Sequence, residues 1–425
     1  MDTTLRSQER LARTGDPAAL IRFANSVGRI AGRDAALATL VDGRDQLEVR
    51  RELELFPAWS QLDANPGATR WLDTAPLSAA PRVRWKSAKL PRTGGRRAAG
   101  PWRFVVATPA VVVVGRRGEL VAFDPESGAK LWALGQLTIA GDDRFERSFV
   151  DRGALVRCRW NRATWHDLRT GQVVAEERFD GGCLLGASLD GVAHFITLTH
   201  PKRPRCLRLL EASAARSGLS VRWELTESAI PLEPEQALLG SDLLVLVGYS
   251  RGPGVRVLAL ELSTGSPRWT RTRSARRGLL DASGLVLQGD DIEYLDVDGT
   301  TRWRLQAWLP LAGALALTPD TVVCAHSYGV RWVDRSSGAT VRELRTLRPC
   351  RVAGARDAVF VWSGCPLAIL SSRGAPLWNP RPDERHYFGL AREVLPLRGR
   401  LMLIDDNWPA SQVVCLEADQ AGRGG

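Results

Sequence analysis

The chain has almost no lysine: of its 58 basic residues, four (Lys86, Lys89, Lys130 and Lys202) are lysines and the rest are arginines. The net charge of +11 would attract phosphates or anionic surfaces, but an arginine bias follows from GC-rich coding as readily as from a polyanionic partner. Charge alone supplies only the sequence-independent part of nucleic-acid affinity, so a nucleic-acid partner is not expected.

Paired cysteines are also missing. The seven cysteines are scattered, with no CxxC and no adjacent pair, which excludes a disulfide framework and a zinc cluster. Cys158, Cys324 and Cys415 lie in apolar runs and read as small buried hydrophobes. No run approaches the roughly eighteen apolar residues a membrane helix needs, and the first residues carry neither an apolar signal core nor a lipobox-like cysteine. The expectation is a cytoplasmic protein without membrane insertion. No GxxxxGK or HExxH is present, and hydrolase, nucleotide-phosphate and zinc-protease readings are set aside. The five histidines lack HxH or HxxxH spacing, and Asp405, Asp406 and Asn407 lack the further spaced carboxylates of a calcium loop. No cofactor or metal is expected.

What is present is a globular composition, 44% hydrophobic and 25% charged. Residues 1–60 read as a helical N-terminal extension. Asp16 caps a first helix with Pro17 at its first position, a second helix starts at Asp34, and a third ends before Pro57. Residues 61–80 read as a linker with Pro66 and Pro76.

From residue 81 to 425 the pattern changes to short apolar runs punctuated by Gly, Asp and Ser. The stretch VAFDPESGAKLW (121–132) echoes in LALELSTGSPRW (258–269), ATWHDLRTGQVVA (163–175) and VRWVDRSSGATVR (330–342), with other copies at 207–223, 293–303 and 368–378. Each copy joins two strands through a turn, and most open it with an acid. A glycine follows where positive φ is needed, commonly with a tryptophan four or five residues later. The turn glycines Gly128, Gly171, Gly218, Gly265, Gly299, Gly338 and Gly374 are 34 to 47 residues apart, the length of a four-stranded propeller blade.

Eight apolar runs, from AVVVVG to RLMLID, precede or should precede such hairpins, yet only seven hairpins are complete. The last unit lacks a fourth strand, and PRVRWKSA (81–88) reads as that orphan strand. The expectation is therefore an all-β, eight-bladed propeller of four-stranded antiparallel blades, closed by pairing 81–88 with the last blade. Seven blades with one degenerate unit is the alternative.

The repeats resemble those of the quinoprotein-type, or pyrroloquinoline-quinone-like, β-propellers. Ala122, Asp124, Ser127, Gly128 and Trp132 match the family pattern A-x-D-x-x-T-G-x-x-x-W with one conservative change, and Ala259, Glu261, Thr264, Gly265 and Trp269 nearly match it. Ala175 and Arg342 stand where other copies have tryptophan. The resemblance implies that Trp85, Trp132, Trp223, Trp269, Trp303 and Trp378 are docking groups between blades, as an indole with one N–H to satisfy suggests independently. It also implies that a catalytic member would carry an adjacent cysteine pair beside the quinone, which this chain lacks.

Candidate binding residues lie in the turns after the eight apolar runs, which should share one face. They are Arg116, Arg117, Asn161, Arg162, His200, Arg203, Arg205, Arg251, His326, Tyr328, Asp405, Asp406, Asn407 and Trp408, a composition that suits a protein interface. The functional expectation is a non-catalytic protein-interaction scaffold. Alternatives are a quinone-dependent dehydrogenase or small-ligand binder at the funnel, and polyanion binding through Arg-rich loops.

Overall fold

The computed structural model describes most of the chain between residues 81 and 418. Residues 1–80 and 419–425, the segments 91–101, 136–145, 307–314 and 379–390, and several shorter loops lie outside the described residues. The helical extension and linker expected over 1–80 therefore fall outside them.

Among the described residues, thirty-two strands, β1 to β32 in chain order, form eight four-stranded antiparallel sheets. These are the expected eight blades, not seven. Blades 1 to 7 span 103–134, 146–178, 182–226, 232–271, 275–306, 315–345 and 351–378, each with its four strands in chain order. Blade 8 combines β30 (Ala391–Leu397), β31 (Arg400–Asp405) and β32 (Gln412–Ala418) with β1 (Pro81–Lys86) from the other end of the described chain. The first strands of blades 1 to 7 neighbour one another in turn, β30 lies against the second strand of blade 7 (Ala358–Trp362), and the first strand of blade 1 (Arg103–Ala107) lies beside β30, so the ring closes.

The eight apolar runs are the second strands, buried along nearly their whole length, as in Leu243–Ser250 or Ala358–Trp362. They read as continuous rather than alternating because a blade is covered on both faces, which removes the polar side of the pattern. The fourth strands form the rim and are largely exposed, as in Val173–Arg178 and Thr340–Arg345. Among the described residues the core is divided: eight apolar clusters each bridge two adjacent blades.

The cluster between blades 8 and 1 joins Trp85, Met402 and Cys415 to Val112 and Val121. Arg84 ties the same seam through Glu417 at 2.7 Å and Glu126 at 2.8 Å. Because adjacent strands alternate in direction, the turns between second and third strands share one face with the connections between blades. The turns between third and fourth strands occupy the other face.

Candidate functional site

The repeat turn is built from its acid. The Asp124 carboxylate accepts the N–H groups of Glu126 and Ser127 at 2.8 and 2.7 Å, and the Ser127 hydroxyl donates to it at 3.0 Å. Such bonds favour the ionised form. The Ser127 amide holds the Asp124 carboxyl below its usual range, and Ser336 with Ser337 lowers that of Asp334 to about 2.

Gly128 then turns with φ +72°, and a Cβ there would fall inside the Trp85 ring. The Trp85 Nε1–H donates to the Pro125 carbonyl at 3.0 Å. The arrangement repeats around the ring: Trp132, Trp223, Trp269 and Trp303 donate to Leu168, Leu262, Val297 and Arg335 carbonyls and cover Gly171, Gly265, Gly299 and Gly338. Each tryptophan thus caps the turn of the next blade. Trp378 packs against the cluster between blades 7 and 8. These indoles are committed to blade docking.

Two blades depart from the rule. Across the strand pair, the docking tryptophan normally faces a residue such as Ala122, Ala259 or Cys415. Opposite Ala175 stands Trp165, and opposite Arg342 stands Trp332, both fully buried. The indole has moved to the neighbouring strand of the same blade. Trp332 reaches Gly374 of blade 7, whereas Gly218 of blade 3 faces open space. In blade 3 the turn residue Arg216, at φ +57°, instead donates to the Asp151 carbonyl at 3.1 Å.

Every fourth strand has a register shift immediately before its docking position. The residues at the shift are Arg84, Leu131, Val174, Arg222, Arg268, Arg302, Val341 and Leu377. A bulge re-aims such a residue. The four arginines are paired with carboxylates, Arg222 with Glu211, Arg268 with Asp242 and Arg302 with Asp296 among them. The four aliphatic residues project into solvent, Val174 at 51% exposure and the others near 40%.

Of the candidate turn residues, Arg116 is buried beside Trp102, its guanidinium 4.6 Å from the ring centroid and 2.7 Å from Glu119. Asn161 is exposed and its carbonyl accepts the Phe179 N–H, while Arg162 pairs with Glu176 at 3.3 Å. His326 and Asp405 are half-buried at second-strand ends of blades 6 and 8; desolvation holds the His326 imidazole below its usual pKa. Arg117, His200, Arg203, Arg205, Arg251, Tyr328, Asp406, Asn407 and Trp408 lie outside the described residues.

Gly248-Tyr249-Ser250-Arg251-Gly252 spells GxSxG, the local sequence of a hydrolase nucleophile. Its context is not a nucleophile elbow, which needs a strand, a sharp turn and a helix. Gly248 pairs within the sheet, the Ser250 hydroxyl accepts the Gly254 N–H at 2.9 Å, and the next described element is the strand Val257–Glu261.

The register also aligns the innermost strands. In each blade the first residue of the buried second-strand segment pairs with the residue opening the outer turn, as Ala154 with Asp167, Leu243 with Glu261, Ala358 with Ser371 and Arg400 with Glu417. The fifth residue of that segment pairs inward, with Arg103, Arg147, Leu185, Gln236, Arg277, Arg351 and Glu393 in blades 1 to 5, 7 and 8. Four arginines from distant parts of the chain thus share one level of the ring, near the end where its innermost strands begin. Sequence reasoning missed them because residues 103, 147, 277 and 351 become equivalent only through the sheet register.

Among the described residues, no three His, Cys, Asp or Glu side chains gather as a metal site. The architecture defines the class: an eight-bladed β-propeller with tryptophan-docked blades. Among solved structures, the chain is similar to BamB from Moraxella catarrhalis, with 16% identity and a TM-score of 0.52 over 80% of this chain and 99% of that one. It is also similar to Sqt1 from Saccharomyces cerevisiae, with 8% identity and a TM-score of 0.52 over 74% of this chain and 94% of that one. At these identities the likeness is one of fold. No protein family matches the chain, and no curated protein sequence does.

Proposed function

We propose that this propeller is a non-catalytic, cytoplasmic protein-interaction scaffold, a relative of the quinoprotein-type propellers that binds partners through its rim. The observation that carries the reading is the choice of residue at the rim bulges. Arginine serves at four of the eight positions, so the bulge itself does not require an aliphatic side chain. Leu131, Val174, Val341 and Leu377 nevertheless project from it into solvent, and apolar surface kept exposed where the fold does not demand it fits a partner. The turn acids, glycines and docking tryptophans support the family reading but have structural work to do, so they add nothing for catalysis.

The test is affinity capture from the native cell extract with the full chain, comparing wild type with a rim variant (Leu131→Glu, Val174→Glu, Val341→Glu, Leu377→Glu) and a face variant (Arg203→Glu, Arg251→Glu, Tyr328→Ala). Loss of specific, stoichiometric partners in the rim variant alone is expected. Loss in the face variant alone would move the interface to the inter-strand turns. Identical recovery in all three proteins would overturn the scaffold reading of both surfaces.

A further inference from the structure

We propose that Gln288 and Arg277, paired across the two inner strands of blade 5, bind a small 2-hydroxycarboxylate. This site is separate from the rim and does not depend on the scaffold reading.

The fifth residue of the buried second-strand segment is small or apolar in six blades: Gly115, Cys158, Ile196, Val247, Trp362 and Ile404. Blade 5 places Gln288 there. Its side chain is 2% exposed, and among the described residues neither its Oε1 nor its Nε2 has a hydrogen-bond partner. An amide buried in this way destabilises a fold. The other blades show that the propeller does not require one at this position.

Register places a cation beside the amide. Arg277 and Ile292 stand directly opposite Gln288 on its two neighbouring strands, so the three side chains leave the sheet on one face. Ile292 belongs to the apolar cluster between blades 5 and 6, which identifies that face. Among the described residues, the half-buried Arg277 guanidinium makes no hydrogen bond or ion pair. Desolvation holds it below its ordinary pKa. Arg277 retains contact with solvent and Gln288 does not, so a ligand meets the guanidinium first and the amide behind it.

Gln236 of blade 4 shows what the same side chain does when the fold uses it. Its Nε2–H donates to the Gly278 carbonyl at 3.2 Å, and its Oε1 accepts the Gly278 N–H at 2.8 Å. That amide docks blade 4 on blade 5. Gln288 carries the same donor and acceptor with neither engaged.

Three demands define the ligand: an acceptor for the Gln288 Nε2–H, a donor for its Oε1, and an anion for the guanidinium. A carboxylate accepts from both Arg277 and Nε2–H, and a hydroxyl on the adjacent carbon donates to Oε1. An amino group in place of that hydroxyl would be an ammonium, repelled by Arg277. A phosphate dianion has no proton to donate to Oε1.

Lactate is the probe, titrated into the full chain at near-physiological salt beside propionate, alanine and inorganic phosphate. Saturable lactate binding is expected, weakened roughly tenfold or more by Arg277→Gln and by Gln288→Leu, and unchanged by the rim substitution Arg302→Gln. Propionate, which lacks the hydroxyl, should bind more weakly than lactate. Thermal unfolding gives an independent reading. Lactate should raise the midpoint of the wild type and of neither funnel variant. Without ligand, Gln288→Leu should unfold at or above the wild-type midpoint, because an orphaned buried amide is gone. Absence of saturable lactate binding, or binding that either funnel variant retains within about twofold, would overturn the site. A lowered midpoint for unliganded Gln288→Leu would give the amide a structural partner such as a buried water and overturn its role in binding. Equal affinity for propionate, or tighter binding of alanine or phosphate, would overturn the hydroxycarboxylate assignment. Rim-variant capture experiments are unaffected by any of these results.

Discussion

Gly128 and Gly218 occupy equivalent turns with different neighbours. Both have positive φ, +72° and +138°, but Gly128 lies under the Trp85 indole and Gly218 has open space around its Cα. Gly218→Ala should cost about 1–3 kcal/mol from the backbone alone. Gly128→Ala should add a further roughly 1–3 kcal/mol, because the new methyl group displaces the docked ring. Urea midpoints measure the difference, and equal losses would show that the docked indole yields freely. The need for glycine was legible from the turn spacing at both positions. Trp85 read as a docking group, but that it covers Gly128, 43 residues later in the chain and in the next blade, while Gly218 stays uncovered, was decided by packing between blades.

Within a blade, the pair formed by the third and fourth strands carries one docking indole, and either strand can supply it. Trp165 opposite Ala175 and Trp332 opposite Arg342 invert the usual order. Trp165→Ala should cost about 3–5 kcal/mol by opening a cavity. Ala175→Trp alone should cost about 1–3 kcal/mol by overpacking. The double variant should be more stable than the sum by over about 1 kcal/mol, because the added indole can enter the space left at Gly218 while its partner position is vacated. Additivity within about 0.5 kcal/mol would mean the two positions do not share one volume. Read along the chain, Ala175 and Arg342 are degenerate copies; across the sheet they are compensated ones.

At the scale of the whole ring, β1 makes blade 8 four-stranded. It brings Trp85 to the turn of blade 1 and Arg84 to Glu417 and Glu126. Deleting residues 81–88 from the full chain should lower the urea midpoint and expose β32 as an unpaired edge, a template for association. The loss should be at least that of Trp85→Ala, about 3–5 kcal/mol. Size-exclusion chromatography with denaturant titration checks both effects; a monomer of unchanged midpoint would show that closure contributes nothing.

The sequence by itself determined the blade. Its period, buried second strand, acid-opened turn, glycine and docking tryptophan depend on residues close in the chain, where spacing dictates geometry. It also indicated eight units, since eight apolar runs and an orphan fourth strand at 81–88 leave one economical way to close the array. Tertiary structure alone decided which positions meet. The level shared by Arg103, Arg147, Arg277 and Arg351, the bulges that turn Leu131 and Val174 outward, and the exchange of indoles between strands arise from register across sheets and contacts between blades. Those depend on how neighbouring units pack, which no local pattern encodes.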